Sequence, residues 1–242
     1  MNNKVTFNQI TLITDGYSNE GISPIDAAKN ARKIGIIVNV IGIIETNQTD
    51  EQGKREIESI AAAGGGLCKL VTLKNFSNTV QLITRNALTN TIQEVVHAQL
   101  LQILDESNLS SISPSKRICA TNLIEEISEY SQLNVLLLID QSASMIGKGN
   151  KIEEAINDFQ VSLQSRSGDS NVSVVTFPGL HNIIDIKVPW TDKKEYLDNI
   201  ASKLIPNGKT PTGSAILSSI KHFTDINSKP NKIIGVLDEY VV

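Results

Sequence analysis

Apolar runs of strand length alternate along the chain with stretches whose apolar residues recur at helical spacing. The most apolar run is Val135 to Ile139, and five others are predicted to be strands: 8–14, 36–44, 67–73, 172–177 and 232–240. Helical spacing of i, i+3, i+4, i+7 and i+11 is clearest at Ile152, Ala155, Ile156, Phe159 and Leu163. Regular alternation of strands and helices predicts an α/β fold, a doubly wound and mostly parallel sheet flanked by helices.

Two segments interrupt this alternation. From Ile183 to Val188 apolar and charged residues alternate, which predicts a strand with one solvated face and hence an antiparallel edge of the sheet. The polar, serine-rich stretch from Asp105 to Pro114 predicts a linker, and a short helix is expected over Ile118 to Tyr130. We therefore expect one domain over 1–242, whose parts are 1–104, a linker and short helix at 105–134, and 135–242.

The composition is ordinary for a globular protein, with 40% hydrophobic and 20% charged residues among 242. A formal net charge of -4 argues against binding to nucleic acid through phosphate contacts. Cys68 and Cys119 are too few for a disulfide scaffold, and no apolar stretch reaches the roughly 18 residues of a membrane span. Since the N-terminal residues MNNKVTFNQI lack the apolar core of a signal peptide, we expect a cytoplasmic protein without membrane or nucleic-acid partners.

Polar side chains follow the predicted strands where doubly wound folds bind their ligands. Asp140, Ser142 and Ser144 come directly after the most apolar strand and before a helix. Thr210 lies in another loop before a helix, and Asp15 follows the first strand. The carboxyl ends of parallel strands face one crevice, and carboxylate and hydroxyl oxygens are hard donors that Mg²⁺ accepts while it retains waters. These five residues are therefore candidate ligands of Mg²⁺, or alternatively of Mn²⁺ or Ca²⁺.

The same loops resemble a known family. Asp-Gln-Ser-Ala-Ser at 140–144, Gly-Lys-Thr-Pro-Thr-Gly at 208–213 and Thr-Asp-Gly at 14–16 look like the three parts of the metal-ion-dependent adhesion site of von Willebrand factor A and integrin I domains. DAAKNARKIGIIVNVIGI at 26–43 and VPWTDKKEYLDNIASKLIPNGKTPTG at 188–213 are similar to that family as well. The resemblance covers most of the chain outside 104–132 and implies the family's fold.

The order of the motifs departs from the family, in which the Asp-x-Ser-x-Ser strand comes first and the Thr-Asp-Gly strand follows the threonine loop. Here the Thr-Asp-Gly half comes first, which the resemblance explains as a circular permutation bridged by 105–134. The segment Lys232 to Tyr240 also looks like the Thr-Asp-Gly strand, with Asp238 in the place of Asp15. Asp15 is favoured because Thr-Asp-Gly is the motif that the family itself carries, and because Gly16 gives a metal loop backbone freedom.

The resemblance implies a Mg²⁺-dependent protein-binding module and not an enzyme. Ser142, Ser144 and Thr210 would contact the ion directly or through water, while Asp140 and Asp15 would hold its waters. With few charged groups in contact with the ion, an acidic side chain of a protein partner can complete the coordination. The spare strand candidate would leave an edge open to pairing with a second copy of the chain.

Other interpretations of these residues stay open at the level of sequence. Asp140, Ser142 and Ser144 are also residue types that cap helices, and Asp15 with Gly16 is a common turn pair. The alternative functions are a Mg²⁺-dependent phosphoester hydrolase that uses the same site and a scaffold whose metal site is vestigial. Nucleophilic catalysis by either serine has little support, since no His and acid partners are evident.

Overall fold

The computed structural model of the protein describes residues 5–16, 18–44, 51–104, 114–193, 197 and 199–224. Six strands in these ranges pair into one sheet. They are β1 (Thr6–Thr14), β2 (Ile36–Ile43), β3 (Gly65–Val71), β4 (Gln132–Asp140), β5 (Ser170–Phe177) and β6 (Asp185–Thr191). Their order across the sheet is β3-β2-β1-β4-β5-β6.

Every neighbouring pair of strands is parallel except β5 and β6, which are antiparallel. Helices cover both faces of the sheet, and those in the described part of the chain are α1 (Pro24–Lys33), α2 (Glu51–Ala63), α3 (Ser77–Leu104), α4 (Pro114–Tyr130), α5 (Gly149–Gln164), α6 (Ile200–Lys203) and α7 (Thr212–Thr224). One apolar cluster joins the sheet to α3, α4, α5 and α6, and a second joins it to α1, α2 and α7. The predicted doubly wound, mostly parallel fold with one antiparallel edge strand is confirmed.

β4 lies in the middle of the sheet and is covered on both faces. Its alternate side chains enter opposite clusters, so that Leu137 and Ile139 pack toward α5 while Leu136 and Leu138 pack on the other side, and none of the four is exposed. A strand buried on both faces appears in sequence as an unbroken apolar run. For this reason β4 is the strand that the sequence indicates most clearly.

Three asparagines fix the register of the middle strands. The side-chain amide of Asn171 in β5 donates to Asn134 Oδ1 in β4 at 2.9 Å, and the amide of Asn134 donates to Asn8 Oδ1 in β1 at 2.9 Å. A register slip would break these buried hydrogen bonds and turn apolar side chains to the wrong face. The fixed register determines that β1 and β4 end at the same level.

The edges of the sheet differ from the sequence-based expectation. The alternation of apolar and charged residues over 183–188 predicts that Ile186 and Val188 share the face toward the core, but Ile186 is 49% exposed whereas Val188 is buried. Register shifts between β5 and β6 break the two-residue period on which the expectation relied. At the opposite edge β3 begins at Gly65 and ends at Val71, two residues earlier at each end than the predicted strand 67–73.

The connection between the two halves is more helical than the sequence indicates. The helix expected over 118–130 begins at Pro114 and forms the seventeen-residue α4. Residues 105–113 of the predicted linker and the strand candidate at 232–240 lie outside the described residues.

Arg166 joins the C-terminal end of α4 to the sheet. Its guanidinium donates to the carbonyl oxygens of Ser128 and Ser131 at 2.6 and 3.0 Å and to the hydroxyl of Ser170 at 2.9 Å. We expect Arg166→Ala to lower the free energy of unfolding by about 2–3 kcal/mol, because these helix-end carbonyls lose a charged donor. Urea denaturation measures the change, with the exposed Arg55→Ala as control. Equal stability of the two variants would show that the contacts of Arg166 contribute nothing.

Candidate metal-binding site at the carboxyl ends of β1 and β4

Two adjacent central strands bring acidic residues to the same end of the sheet, where both strands have their carboxyl ends. β1 and β4 are parallel, with Ile13 opposite Ile139. Asp140 follows Ile139 as the last residue of β4, and Asp15 comes directly after the end of β1. The two carboxylates that the sequence assigns to one site therefore leave the sheet side by side, although 125 residues separate them in the chain.

Asp140 is buried and both of its carboxylate oxygens accept hydrogen bonds. The hydroxyl of Thr14 donates to Oδ2 at 2.6 Å, and the backbone N–H of Ser142 donates to Oδ1 at 2.7 Å. Burial raises the pKa of the Asp140 carboxyl above its usual range; the hydrogen bonds from Thr14 and Ser142 lower the pKa, and the charge of Asp15 raises it further. The fold thus holds a carboxylate whose charge a cation nearby would stabilise.

The two serines connect Asp140 to Asp15. Ser142 Oγ lies 3.1 Å from Ser144 Oγ, and the Ser144 hydroxyl donates to Asp15 Oδ1 at 2.7 Å. Ser142 is buried, whereas Ser144 is exposed within a short 3₁₀ turn at 143–145. Four of the five predicted ligands therefore form one connected cluster that opens to solvent at Ser144.

Thr210 is joined through its backbone to the loop that follows Asp15, and its contacts are with that loop and not with the four residues of the cluster. Its carbonyl oxygen accepts hydrogen bonds from Ser18 Oγ at 3.1 Å and from the Asn19 N–H at 3.2 Å, and its own N–H donates to Asn19 Oδ1 at 2.8 Å. Ser18 and Asn19 belong to the loop that follows Asp15. The threonine loop is thereby fastened to the Asp15 loop, and Thr210 itself is buried there.

Sequence reasoning missed three residues at this site. Thr14 holds the Asp140 carboxylate, and its place in the Thr-Asp-Gly motif was the available signal. Gln141 donates to the carbonyl oxygen of Pro178 at 2.7 Å, and its side-chain oxygen accepts from the Ile205 N–H at 3.2 Å, so it ties two neighbouring loops to the serine loop. Lys148 contacts the Asp15 carboxylate as an ion pair, and no sequence pattern indicated this contact.

Gly16 does not use the backbone freedom for which Asp15 was favoured. Gly16 does not adopt a positive φ, and a Cβ placed on it would meet nothing within 4 Å. An alanine would fit there, so backbone freedom does not single out this loop. The position of Asp15 is decided by strand order, since β4 has β1 on one side and β5 on the other.

The chemistry of the donors fits a hard divalent cation. All groups in the cluster except Lys148 present oxygen, from two carboxylates and two hydroxyls, and such sets suit Mg²⁺, Ca²⁺ or Mn²⁺ rather than softer metals. In the described ranges no three His, Cys, Asp or Glu side chains gather as a metal cluster. A site here must therefore rely on hydroxyls as well as on carboxylates.

Sequence profiles of the von Willebrand factor type A domain match the chain over residues 135–239 and over residues 7–85. The chain belongs to the von Willebrand factor type A family. The match to 135–239 extends into residues outside the described part of this von Willebrand A protein. Domains of the family are typically interaction modules without enzymatic activity, which supports a general role in protein interaction.

Two similar proteins span nearly the whole of this von Willebrand A protein. "Uncharacterized protein YabS" of Bacillus subtilis (strain 168) is 42% identical over 223 residues, which cover 92% of this chain and 91% of that protein. A crystal structure of an uncharacterized protein from Alicyclobacillus acidocaldarius subsp. acidocaldarius DSM 446 is 35% identical, with a TM-score of 0.82 and coverage of 92% of this chain and 96% of that one. The sequence similarity spans almost the full length of both relatives, and the fold is shared with the Alicyclobacillus protein.

Two further expectations concerned membrane spans and cysteines. None of the helices in the described part of this von Willebrand A protein is long and apolar enough to cross a membrane. Cys68 carries a free thiol, and burial raises the pKa of that thiol to about 11.

Proposed function

We propose that this protein binds a protein partner through a divalent cation, and that this cation is Mg²⁺. Ser142, Ser144 and Thr210 contact the ion directly or through water. Asp140 and Asp15 hold the waters of the ion. The observation that carries the proposal is the connected cluster in which Ser144 links the Asp15 carboxylate to Ser142. When bound, the cation supplies a positive centre that a carboxylate of the partner can coordinate. The chain's own residues orient the hydroxyl oxygens and shield the buried Asp140 from water.

The surroundings of the cluster favour a protein over a small metabolite as partner. Three loops at this end of the sheet expose isoleucine side chains, namely Ile22 at 44%, Ile146 at 69% and Ile205 at 47%. A polar centre with exposed apolar side chains on its surrounding loops suits a protein surface, because such side chains gain free energy when a partner removes them from water. The expected partner presents an acidic side chain flanked by apolar residues.

The proposal includes a circularly permuted order of the family's elements. Two observations support it. The Asp15 strand β1, which begins the chain, lies directly beside the Asp140 strand β4, and the family profiles match two separate segments. In this arrangement α4 belongs to the bridge between the family's usual ends, and Asp15 rather than Asp238 serves the metal.

A comparison of two equivalent substitutions tests this assignment. We expect Mg²⁺ to raise the melting temperature of the wild-type protein, because a ligand that binds only the folded state stabilises it. Asp15→Asn should weaken Mg²⁺ binding about 10- to 100-fold, as loss of a residue behind a metal's direct ligands does. Asp238→Asn should leave the affinity unchanged. Calorimetric titration with Mg²⁺ measures both variants, and the reverse pattern would assign the site to the C-terminal segment.

The same variants extend the test to the partner. Immobilised protein should retain a partner from a cell extract in Mg²⁺ and release it in EDTA, and Ser142→Ala should lose it in both conditions. Ser165→Ala, which removes a hydroxyl at the far end of α5, is the matched control. Retention of the partner by Ser142→Ala would show that binding does not pass through the metal. Turnover of a generic phosphoester that Asp140→Asn abolishes would instead favour a hydrolase.

A further inference from the structure

Lys148 is a buried cation inside the proposed metal site. Its side chain is 7% exposed, and its ammonium forms an ion pair with the Asp15 carboxylate, whose side chain is 4% exposed. Lysine is rarely buried to this degree unless it is paired, because removal of its charge from water is costly. One of the two carboxylates in the cluster, that of Asp15, is therefore paired with an internal positive charge.

Helix capping does not explain the presence of a lysine at this position. Lys148 is the N-cap residue of α5, and its side chain makes no capping hydrogen bond there. The N-terminus of a helix carries a partial positive charge, which disfavours a cation and favours acidic or hydroxyl side chains. The ion pair with Asp15 offsets this unfavourable placement. The proposed metal site, and not the helix, therefore explains why a lysine occupies position 148.

The ion pair between Lys148 and Asp15 opposes the binding of a divalent cation at this site. Asp15 accepts from the Ser144 hydroxyl on Oδ1 and contacts the Lys148 ammonium on Oδ2, so both of its oxygens are engaged. A water of the bound ion would have to share one of these oxygens with Ser144 or Lys148. The ammonium also repels a second cation at close range, and this repulsion is strong where water is excluded.

We propose that Lys148 is a built-in competitor of the divalent cation, an inference that rests on the proposed metal site. In the ion-free protein its ammonium neutralises Asp15 and keeps the cluster folded. When the ion binds, Lys148 leaves that carboxylate, and the ion takes over its electrostatic role. Gly147 and Gly149 flank Lys148 and carry no side chains, and Ile146 is exposed, so these three residues add no core side chain that would hold Lys148 in place. Lys148 thus sets the cation concentration at which the site becomes competent to bind a partner.

Substitution of Lys148 by methionine tests the inference. Lys148→Met should bind Mg²⁺ about 10-fold more tightly than the wild type in calorimetric titration, because the competing charge is gone. In EDTA it should melt at a lower temperature than the wild type, because Asp15 is left buried without a cation, and Mg²⁺ should remove this difference. Lys151→Met, an exposed lysine paired with Glu154 on the same helix, is the control for the change in net charge and should alter neither property.

The outcomes separate this inference from the function on which it rests. If Lys148→Met does not fold in EDTA, Lys148→Gln replaces it, because the amide can still donate to Asp15 without a charge. Equal Mg²⁺ affinity in wild type, Lys148→Met or its replacement, and Lys151→Met would overturn the role of Lys148 and leave the metal site standing. If Mg²⁺ binds to the Lys148 variant and to neither of the other two proteins, the ammonium of Lys148 excludes the ion completely, which would support the proposed competition. Absence of Mg²⁺ binding in all variants would overturn both proposals.

Discussion

Asp140→Asn is expected to abolish the stabilisation of the protein by Mg²⁺ without unfolding it. At a Mg²⁺ concentration of 100 times its dissociation constant, the wild type should gain about 2.7 kcal/mol of unfolding free energy and the variant almost none. The asparagine can keep both contacts of the carboxylate. Its oxygen accepts from the Ser142 N–H, and its amide can donate to the Thr14 hydroxyl, which already has the carbonyl oxygen of Gly16 as a second partner at 3.2 Å.

The same variant should change the pH dependence of the ion-free protein. Burial raises the pKa of Asp140 in the folded state above its ordinary value of 3.8, so the folded protein binds this proton more tightly than the unfolded chain does. Stability from this group is therefore greatest below the ordinary pKa and falls as the pH rises through the folded-state pKa. Asn is neutral at every pH, so Asp140→Asn in EDTA should be at least as stable as the wild type at neutral pH and should lack this fall.

Thermal denaturation with Mg²⁺ and with EDTA across a pH series measures both effects. Asp26→Asn, an exposed acid in the first turn of α1, serves as the control and should respond to Mg²⁺ as the wild type does. A Mg²⁺-induced rise in melting temperature that persists in Asp140→Asn would remove Asp140 from the site.

Gly213→Ala is expected to separate the threonine loop from the Asp15 loop. A Cβ on Gly213 would lie 2.2 Å from the carbonyl oxygen of Ile22 and 2.9 Å from the backbone N of Pro24. Because these are backbone atoms, the start of α7 must move away from the loop before α1. Such overpacking costs about 1–3 kcal/mol of stability. The movement displaces Thr210 from its contacts with Ser18 and Asn19, so we expect at least about a 10-fold loss of Mg²⁺ affinity as well.

Gly149→Ala adds the same methyl group where its nearest neighbours are 3.6 Å away. Since this position is in the first turn of α5, alanine should leave the free energy of unfolding equal to or slightly above that of the wild type. Chemical denaturation compares the two variants. If Gly213→Ala is as stable as the wild type and binds Mg²⁺ with equal affinity, the contact between the threonine loop and the Asp15 loop does not matter for the site.

The sequence predicted the members of the site better than the contacts among them. Asp140 and Ser142 are recognisable because they follow a strand whose apolar run is unbroken, where doubly wound folds bind their ligands, and that signal is local. Gln141 carried no such signal, since its two hydrogen bonds reach Pro178 and Ile205. Its role depends on where distant loops come to lie after the sheet has formed.

The sequence by itself determined the alternation of strands and helices, the strongly apolar strand at 135–139 and the residue types at the ends of strands. These follow from hydrophobic periodicity, which acts over a few residues. Only the tertiary structure decided that β1 lies beside β4, that Ile186 faces solvent and that Lys148 pairs with Asp15. Strand neighbours and ion pairs between distant residues are selected by the packing of the whole sheet, and the spacing of residues along the chain does not encode that choice.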